Sequence, residues 1–326
     1  MRAVWYEENG DASVLQVGEM PDPEPGPGEV RVRVVTSGVN PSDWKRRQGT
    51  TARISHPRII PNQDGGGIID MVGDGVPESR IGERVWLYQS QFGRAFGTAA
   101  QYTVQPSNRA VQMPDNVDFA LAAGLGVPAL TAHRCVFADG PLAGKTVLVP
   151  GGAGAVGNMA LQMARLGGAE RIISTVSGDA KAEIAQQAGA QHTVNYRTED
   201  TAARILEITD GAGVDLIVEV DYSGNFAVSQ RIIKRGGSIA IYAAGDAPAP
   251  PFEFPVSNVN VRHVLVYDMS EDAKSAGVAD TNRWLSSGEL VGMDGPHFPL
   301  EDTAGAHEAV RAATVGKVVI DVSEIV

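Results

Sequence analysis

The stretch VLVPGGAGAVGNMALQMA, Val147 to Ala164, constrains this chain more than any other. Strand-forming residues run into Gly152, Gly154 and Gly157, a G-x-G-x-x-G spacing, and then into an amphipathic helical pattern. Such a turn lets the backbone approach a ligand closely and aims the first N–H groups of a helix at it. Those groups suit a pyrophosphate, and the expected donors are the backbones of Gly154, Ala155 and Val156. The segment reads as the opening turn of a dinucleotide-binding sheet.

The flanking texture agrees. From about Leu125 onward, KTVLVP, RIISTVS, HTVNY, VDLIVEV and GSIAIYA alternate with helical stretches at Gly154–Arg165, Ala180–Ala188, Thr201–Thr209 and Phe226–Ile233. That repetition predicts a doubly wound parallel sheet. Earlier runs, MRAVWYE, EVRVRVVTSG, GGGIIDMVG, ERVWLY and AAQYTVQ, are short, alternating and separated by Pro and Gly. They predict a partly antiparallel, barrel-like β domain. After Pro255 come VRHVLVYD, helices near Asp272–Ser287 and Asp302–Ala313, and a closing strand GKVVIDV. The expected organisation is residues 1–125 as the first part of a β domain, 126–262 as the nucleotide domain, and 263–326 returning to the first.

Bulk properties narrow the function. With 326 residues the chain is long enough for two domains, and its 43% hydrophobic and 20% charged residues are ordinary for a globular protein. A net charge of -12 argues against a nucleic-acid partner, which needs a basic face to release counterions. No stretch resembles a membrane span, and the N-terminus lacks the apolar run of a secretory signal. Cys135 is the only thiol, which excludes intrachain disulfides and cysteine-rich metal sites. A cytoplasmic protein with no membrane partner is expected.

The choice of dinucleotide turns on ISTVSGDAK, at the end of the second strand. Ser177 and Gly178 occupy the ribose zone, and Lys181 on the next helical turn offers positive charge to a 2′-phosphate. Asp179 is the opposing reading, because a carboxylate there would take the ribose hydroxyl of NADH. The pattern favours NADPH over NADH.

At this point the sequence resembles the medium-chain dehydrogenase/reductase superfamily, and within it the zinc-free quinone oxidoreductase (zeta-crystallin-like) branch. The resemblance rests on SGVNPSDWKRRQG, PNQDGGGIIDMVG, GVPALTAHR, VLVPGGAGAVG, NYRTED and PLEDTAGAHEAVRAATVGKVVIDV, in family order along nearly the whole chain. It implies a GroES-like catalytic domain joined to a Rossmann domain, and commonly a homodimer, for which the edge strand VRHVLVYD is a candidate contact. Zinc enzymes of the superfamily hold their metal with two cysteines and a histidine; the matching positions here look like Asn40, Gln63 and Val127, a set that does not serve zinc. No metal is expected.

Without a Lewis acid, alcohol oxidation is disfavoured. Hydride transfer to a quinone, or to an enal, enone or enoyl thioester, needs mainly positioning and a polarised carbonyl. A non-catalytic NADPH-binding role, as in the crystallin relatives, is the alternative of a different class. By resemblance, Asn40, Asp43, Gln63 and Thr131 line the reacting pocket, with Asp64 beside Gln63. Ser177, Lys181 and Tyr196 surround the adenosine, Tyr242 and Ala243 the nicotinamide ribose, Val266 and Tyr267 the carboxamide, and Lys317 matches a further cofactor position. Two departures bear on acceptor choice: VEVDYSGNF is bulkier than the family's D-x-x-G segment, and RISHPRIIPNQD lacks a tyrosine that some quinone reductases carry, leaving His56 in that region.

Overall fold

Val30, Val32 and Val34 alternate with Arg31 and Arg33, and this period of two becomes the strand Glu29–Gly38 with all three valines buried. It is the spine of the first unit. Asp64–Val72 pairs antiparallel along it, Tyr102–Pro106 pairs on its other side, and Val319–Asp321 joins its carboxyl end. Arg84–Leu87 and Ala110–Gln112 extend one edge, and His297–Pro299 closes the other in the sheet's parallel pair. Val4, Val39, Ile60, Leu300, Val318 and Ile320 share one core beneath it. The terminal segment thus lies in the same sheet as Glu29–Gly38.

The computed structural model describes residues 1–245, 247–248 and 257–324. They divide into two units, Met1–Val127 with Asp280–Val326, and Pro128–Ala279. The return comes later than the expected residue 263. Asn260–His263 pairs in parallel with Ile233–Ile241 and so extends the second unit's sheet. The helix Glu271–Ser286 begins in that unit, where the bare Cα of Gly277 lets it approach Leu130 and His133.

The second unit is a parallel sheet of six strands among the described residues, in the order His192–Asn195, Arg171–Val176, Thr146–Pro150, Val214–Glu219, Ile233–Ile241 and Asn260–His263. Strand order reverses beside Thr146–Pro150, and in such sheets ligands bind outside the carboxyl ends at that reversal. Leu148, Ile173, Val194, Ile217 and Ile239 bury one continuous core, with Ala202 and Ile205 of the helix Thr201–Ile208 packed against it. Helix starts follow their caps: Asp200 accepts from the backbone N–H of Ala203, and Asp221 from that of Gly224. The second cap starts the fourth helix at Tyr222, earlier than the expected Phe226.

Gly38 shows how tightly the first unit closes. A Cβ there would lie 1.8 Å from the carbonyl oxygen of Ala123. Gly38→Ala is expected to cost about 3 kcal/mol, the upper end for overpacking, read as a lower denaturation midpoint; an unchanged midpoint would contradict this packing.

Candidate active site

The strand Glu29–Gly38 ends two residues before Asn40, and Pro41 opens the helix Pro41–Gln48 with Asn40 as its N-cap. Asp43, at the third helical position, reaches back to accept the backbone N–H of Asn40 at 2.7 Å. The side chain of Asn40 is engaged elsewhere. Its Nδ2 donates to Asp64 Oδ2 at 2.7 Å, and its Oδ1 accepts from Lys317 Nζ at 2.7 Å. The partners fix the amide's direction: an ammonium donates only, and a carboxylate accepts only.

Asp64 and Lys317 complete the cluster. Lys317 Nζ also donates to the carbonyl of Val39 at 3.1 Å and stands 3.6 Å from Asp64 Oδ2. Asp64 Oδ1 accepts the backbone N–H of Val127 at 2.9 Å. Gly126 makes that approach possible, since a Cβ there would sit 2.1 Å from the same oxygen. Asn40, Asp43, Asp64 and Lys317 are all buried. Burial pulls the Lys317 ammonium below its ordinary range and pushes the Asp64 carboxyl up, while each charge opposes the other's shift. Two carboxylates face one ammonium, so a proton is needed. Asp43 takes it: burial and the neighbouring Asp64 charge push its pKa up to about 8, and its Oδ1 has no partner.

Two of the sequence candidates are held by protein partners. Lys317, expected at the cofactor, is spent on Val39, Asn40 and Asp64, because a buried ammonium settles among the acceptors nearest to it. Gln63, expected in the reacting pocket, anchors a loop: its Oε1 accepts from the backbone N–H groups of Gln91 and Phe92, and its Nε2 donates to Gln91 Oε1. Val127 offers only its backbone. A zinc ion does not fit this donor set, since Asn40 Oδ1 faces an ammonium, Gln63 is committed and Val127 is apolar. Among the described residues, no group of three or more His, Cys, Asp or Glu is arranged to hold a metal.

A polar relay supports Asp64 from behind. Asn62, in the left-handed region at φ 77, donates to Ser37 Oγ and accepts from His307 Nε2 at 2.9 Å. Ser37 meets Thr98, whose hydroxyl donates to the backbone carbonyl of Asp64. Burial and the nearby Arg47 hold His307 neutral, with its pKa lowered to about 3. Nothing local in the sequence announces this relay, in which His307 and Asn62 meet from 245 residues apart.

In the second unit the glycine turn has the form a pyrophosphate needs. Gly151 takes φ 69, and a Cβ on Gly152 would meet Ser174 Oγ at 2.3 Å. A Cβ on Gly157 would meet the Gly151 carbonyl oxygen at 2.4 Å. Gly154 caps the helix Ala155–Leu166 with no side-chain hydrogen bond, leaving the first N–H groups, with Ala155 and Val156 only partly covered, for a ligand. The residues present fit a dinucleotide.

The strand ends bring the adenosine candidates together. The backbone N–H of Tyr196 donates to the Val176 carbonyl at 3.1 Å, which sets Tyr196 beside Ser177. Tyr196 is 53% exposed, so it is not a core tyrosine. Lys181 lies on the first turn of the helix Asp179–Gln187, half-buried, with Asp179 exposed at its start. Thr131 is buried at the second position of the helix Leu130–Phe137. Val266 and Tyr267 sit in the turn after the edge strand.

Tyr242 and Ala243 belong to a double loop that the sequence did not reveal. Tyr222 and Ser223 donate backbone N–H groups to the carbonyls of Ala243 and Ala244. Glu219, fully buried, organises it by accepting from the Asp221 backbone N–H at 2.7 Å and from Asn225 Nδ2 at 2.8 Å. Burial raises the Glu219 carboxyl and the Tyr242 phenol above their ordinary values. Cys135, buried and pushed up to about 12, is an inert thiol.

The Asp43 proton yields a pH prediction. Its folded pKa lies above its unfolded value of 3.8, so this group's contribution to stability is complete below that value and is lost as pH rises toward about 8. Asp43→Asn is expected to gain melting temperature relative to the wild type as pH rises from 5 to about 8, then level off. A difference independent of pH would contradict the protonation assignment.

Comparison with known proteins completes the picture. Residues 26–115 match the alcohol dehydrogenase GroES-like domain, and residues 155–279 match the zinc-binding dehydrogenase family. The chain is 27% identical to a quinone oxidoreductase of Rattus norvegicus, with 98% of this chain and 97% of the relative covered. It is 30% identical to a chloroplastic NADPH-dependent alkenal/one oxidoreductase of Arabidopsis thaliana, with 98% of this chain and 79% of the relative covered. The crystal structure of an NAD-dependent alcohol dehydrogenase superposes with a TM-score of 0.90 at 29% identity, covering 99% of this chain and all of the other. The nucleotide turn, the GroES-like sheet and these likenesses converge: the chain is an oxidoreductase of the medium-chain dehydrogenase/reductase superfamily and belongs to its zinc-free, quinone oxidoreductase-like branch.

Proposed function

We propose that the protein is an NADPH-dependent oxidoreductase that reduces a quinone without zinc. The observation that supports this reading is the buried Lys317–Asn40–Asp64 cluster, which orients the amide of Asn40, a position matched by resemblance to a metal ligand of the zinc enzymes. Such an amide suits an acceptor whose oxygen gains negative charge, and does not suit alcohol deprotonation.

In this mechanism Gly152, Gly154, Ala155, Val156 and Gly157 hold the pyrophosphate, and Ser177, Lys181 and Tyr196 hold the adenosine and its 2′-phosphate. Tyr242, Ala243, Val266 and Tyr267 hold the nicotinamide end, with Thr131 beside it. A bound NADPH would supply the hydride of this two-electron reduction, with a solvent proton completing it. Asn40 binds the acceptor oxygen through the amide N–H not given to Asp64, and Asp43 keeps the helix that carries Asn40 in place. Gln63 keeps the loop at Gln91 and Phe92 in place.

A second reading, reduction of a 2-alkenal or enone, is favoured by the alkenal/one oxidoreductase relative. An enoyl thioester belongs to the same class, since all carry a conjugated carbonyl. We also propose a cytoplasmic homodimer joined along the edge strand Asn260–His263, beyond which Leu265 is 57% exposed. Among the described residues no helix is long and apolar enough to cross a membrane.

The test is steady-state oxidation of NADPH and NADH with 1,4-benzoquinone and with a 2-alkenal, for the wild type and Lys181→Ala. Quinone turnover that prefers NADPH is expected. Lys181→Ala should raise KM for NADPH about tenfold, the loss of one charge-assisted contact, and leave NADH nearly unchanged. A preference for NADH would make Asp179 the ribose reader. Turnover with the alkenal alone would select the second reading, and NADPH binding without turnover would support a non-catalytic role.

A further inference from the structure

Lys317 is a buried cation that the mechanism above leaves without a task. Its ammonium donates to Asn40 Oδ1 at 2.7 Å, and the opposite end of the same amide donates to Asp64 Oδ2 at 2.7 Å. The amide thus lies between a cation at its oxygen and an anion at its nitrogen. A cation at the oxygen draws electron density from the nitrogen and makes both N–H groups stronger donors, as hydrogen bonds in a chain strengthen one another in a low-dielectric site. The anion takes one N–H. The other has no partner among the described residues.

We infer that Lys317 is a positioning residue that fixes and polarises Asn40, giving a metal-free site a charged electrophile one bond removed from the acceptor. The inference rests on the reading of Asn40 as the residue that meets the acceptor oxygen. Three features fit it. The amide has one orientation only, because reversing it would set N–H groups against an ammonium and an oxygen against a carboxylate. The Asp64 charge keeps the pair nearly neutral, so the cation is retained inside the protein. The carbonyl of Val39 takes a further ammonium hydrogen, so Lys317 is held rather than left to swing toward a ligand. As hydride reaches the acceptor carbon, negative charge grows on the acceptor oxygen. A polarised N–H lowers that barrier most for acceptors that are weak electrophiles.

Lys317→Met alone would strand the Asp64 charge and endanger folding. The variant to make is the double change Lys317→Met with Asp64→Asn, which removes both charges and nearly preserves volume. NADPH affinity, read by fluorescence titration, is expected to stay within about twofold, because both side chains are engaged with protein groups, Lys317 with Val39 and Asn40 and Asp64 with Asn40 and Val127. The rate is expected to fall about 100-fold for a 2-alkenal and about tenfold for 1,4-benzoquinone, within or below the cost of losing one oxyanion donor. Equal losses with both acceptors, no loss, or a matching loss of NADPH affinity would overturn the inference.

A second readout needs no turnover. In 15N-asparagine-labelled wild-type protein without cofactor, the side-chain amide protons of Asn40 should be shifted downfield and protected from exchange. Amide protons that exchange as freely as those of a surface asparagine would overturn the coupling, whether or not the double variant folds. A wild type with the amide signature but no turnover on either acceptor would leave the coupling standing and defeat the proposed function instead.

Discussion

The ion pair between Lys317 and Asp64 is the contact on which the first unit depends. It joins the carboxyl-terminal segment to the first β strands at one buried point, and Asp64 carries the tie onward to the backbone of Val127. Three segments far apart in sequence meet there: the N-cap of the helix Pro41–Gln48, the helical segment Leu125–Ala129, and Lys317, two residues before the closing strand Val319–Asp321. A buried pair of this kind adds little net stability, since desolvation offsets most of the attraction. Its value lies in specificity. Few other arrangements give both charges a partner, so the return of the terminal segment is fixed in register.

The same pair explains why the neighbouring groups have the states they have. Once Asp64 and Lys317 neutralise each other, a second carboxylate at Asp43 is one negative charge too many, and it keeps a proton instead. The relay from His307 through Asn62, Ser37 and Thr98 to Asp64 is neutral throughout, so it orients the backbone of Asp64 without adding charge. Asn40, Gln63 and Val127, which the sequence resemblance sets against the family's metal ligands, are an oriented amide, a loop anchor and a valine. The site's cation is a side chain of the protein itself.

Much of this was legible in the sequence. Alternating valines predicted the strand Glu29–Gly38, and the repeated strand and helix texture predicted the parallel sheet, because period and turn chemistry are local properties. The glycine turn was legible for the same reason: Gly152 and Gly157 stand where a side chain would collide. Long-range polar contacts left no such mark. Lys317 reads as an ordinary lysine before a strand, and only the fold reveals that Asn40, 277 residues away, is its partner. Glu219 looks like part of a strand, yet it organises the loop that holds Tyr242. The late return of the chain was hidden because the helix Glu271–Ser286 looks the same from either side of the domain boundary.

The central proposal is that a protein amide, polarised by its charged neighbours, serves as the electrophile in place of a metal. The most direct measurement is the carbonyl stretching frequency of a 13C-labelled, unreactive enone analogue bound to chelator-treated wild-type protein with NADP+, with metal content measured on the same sample. The account predicts a frequency below that in water, with no stoichiometric metal present. A frequency equal to that in water, or a shift that appears only when zinc is restored, would contradict it.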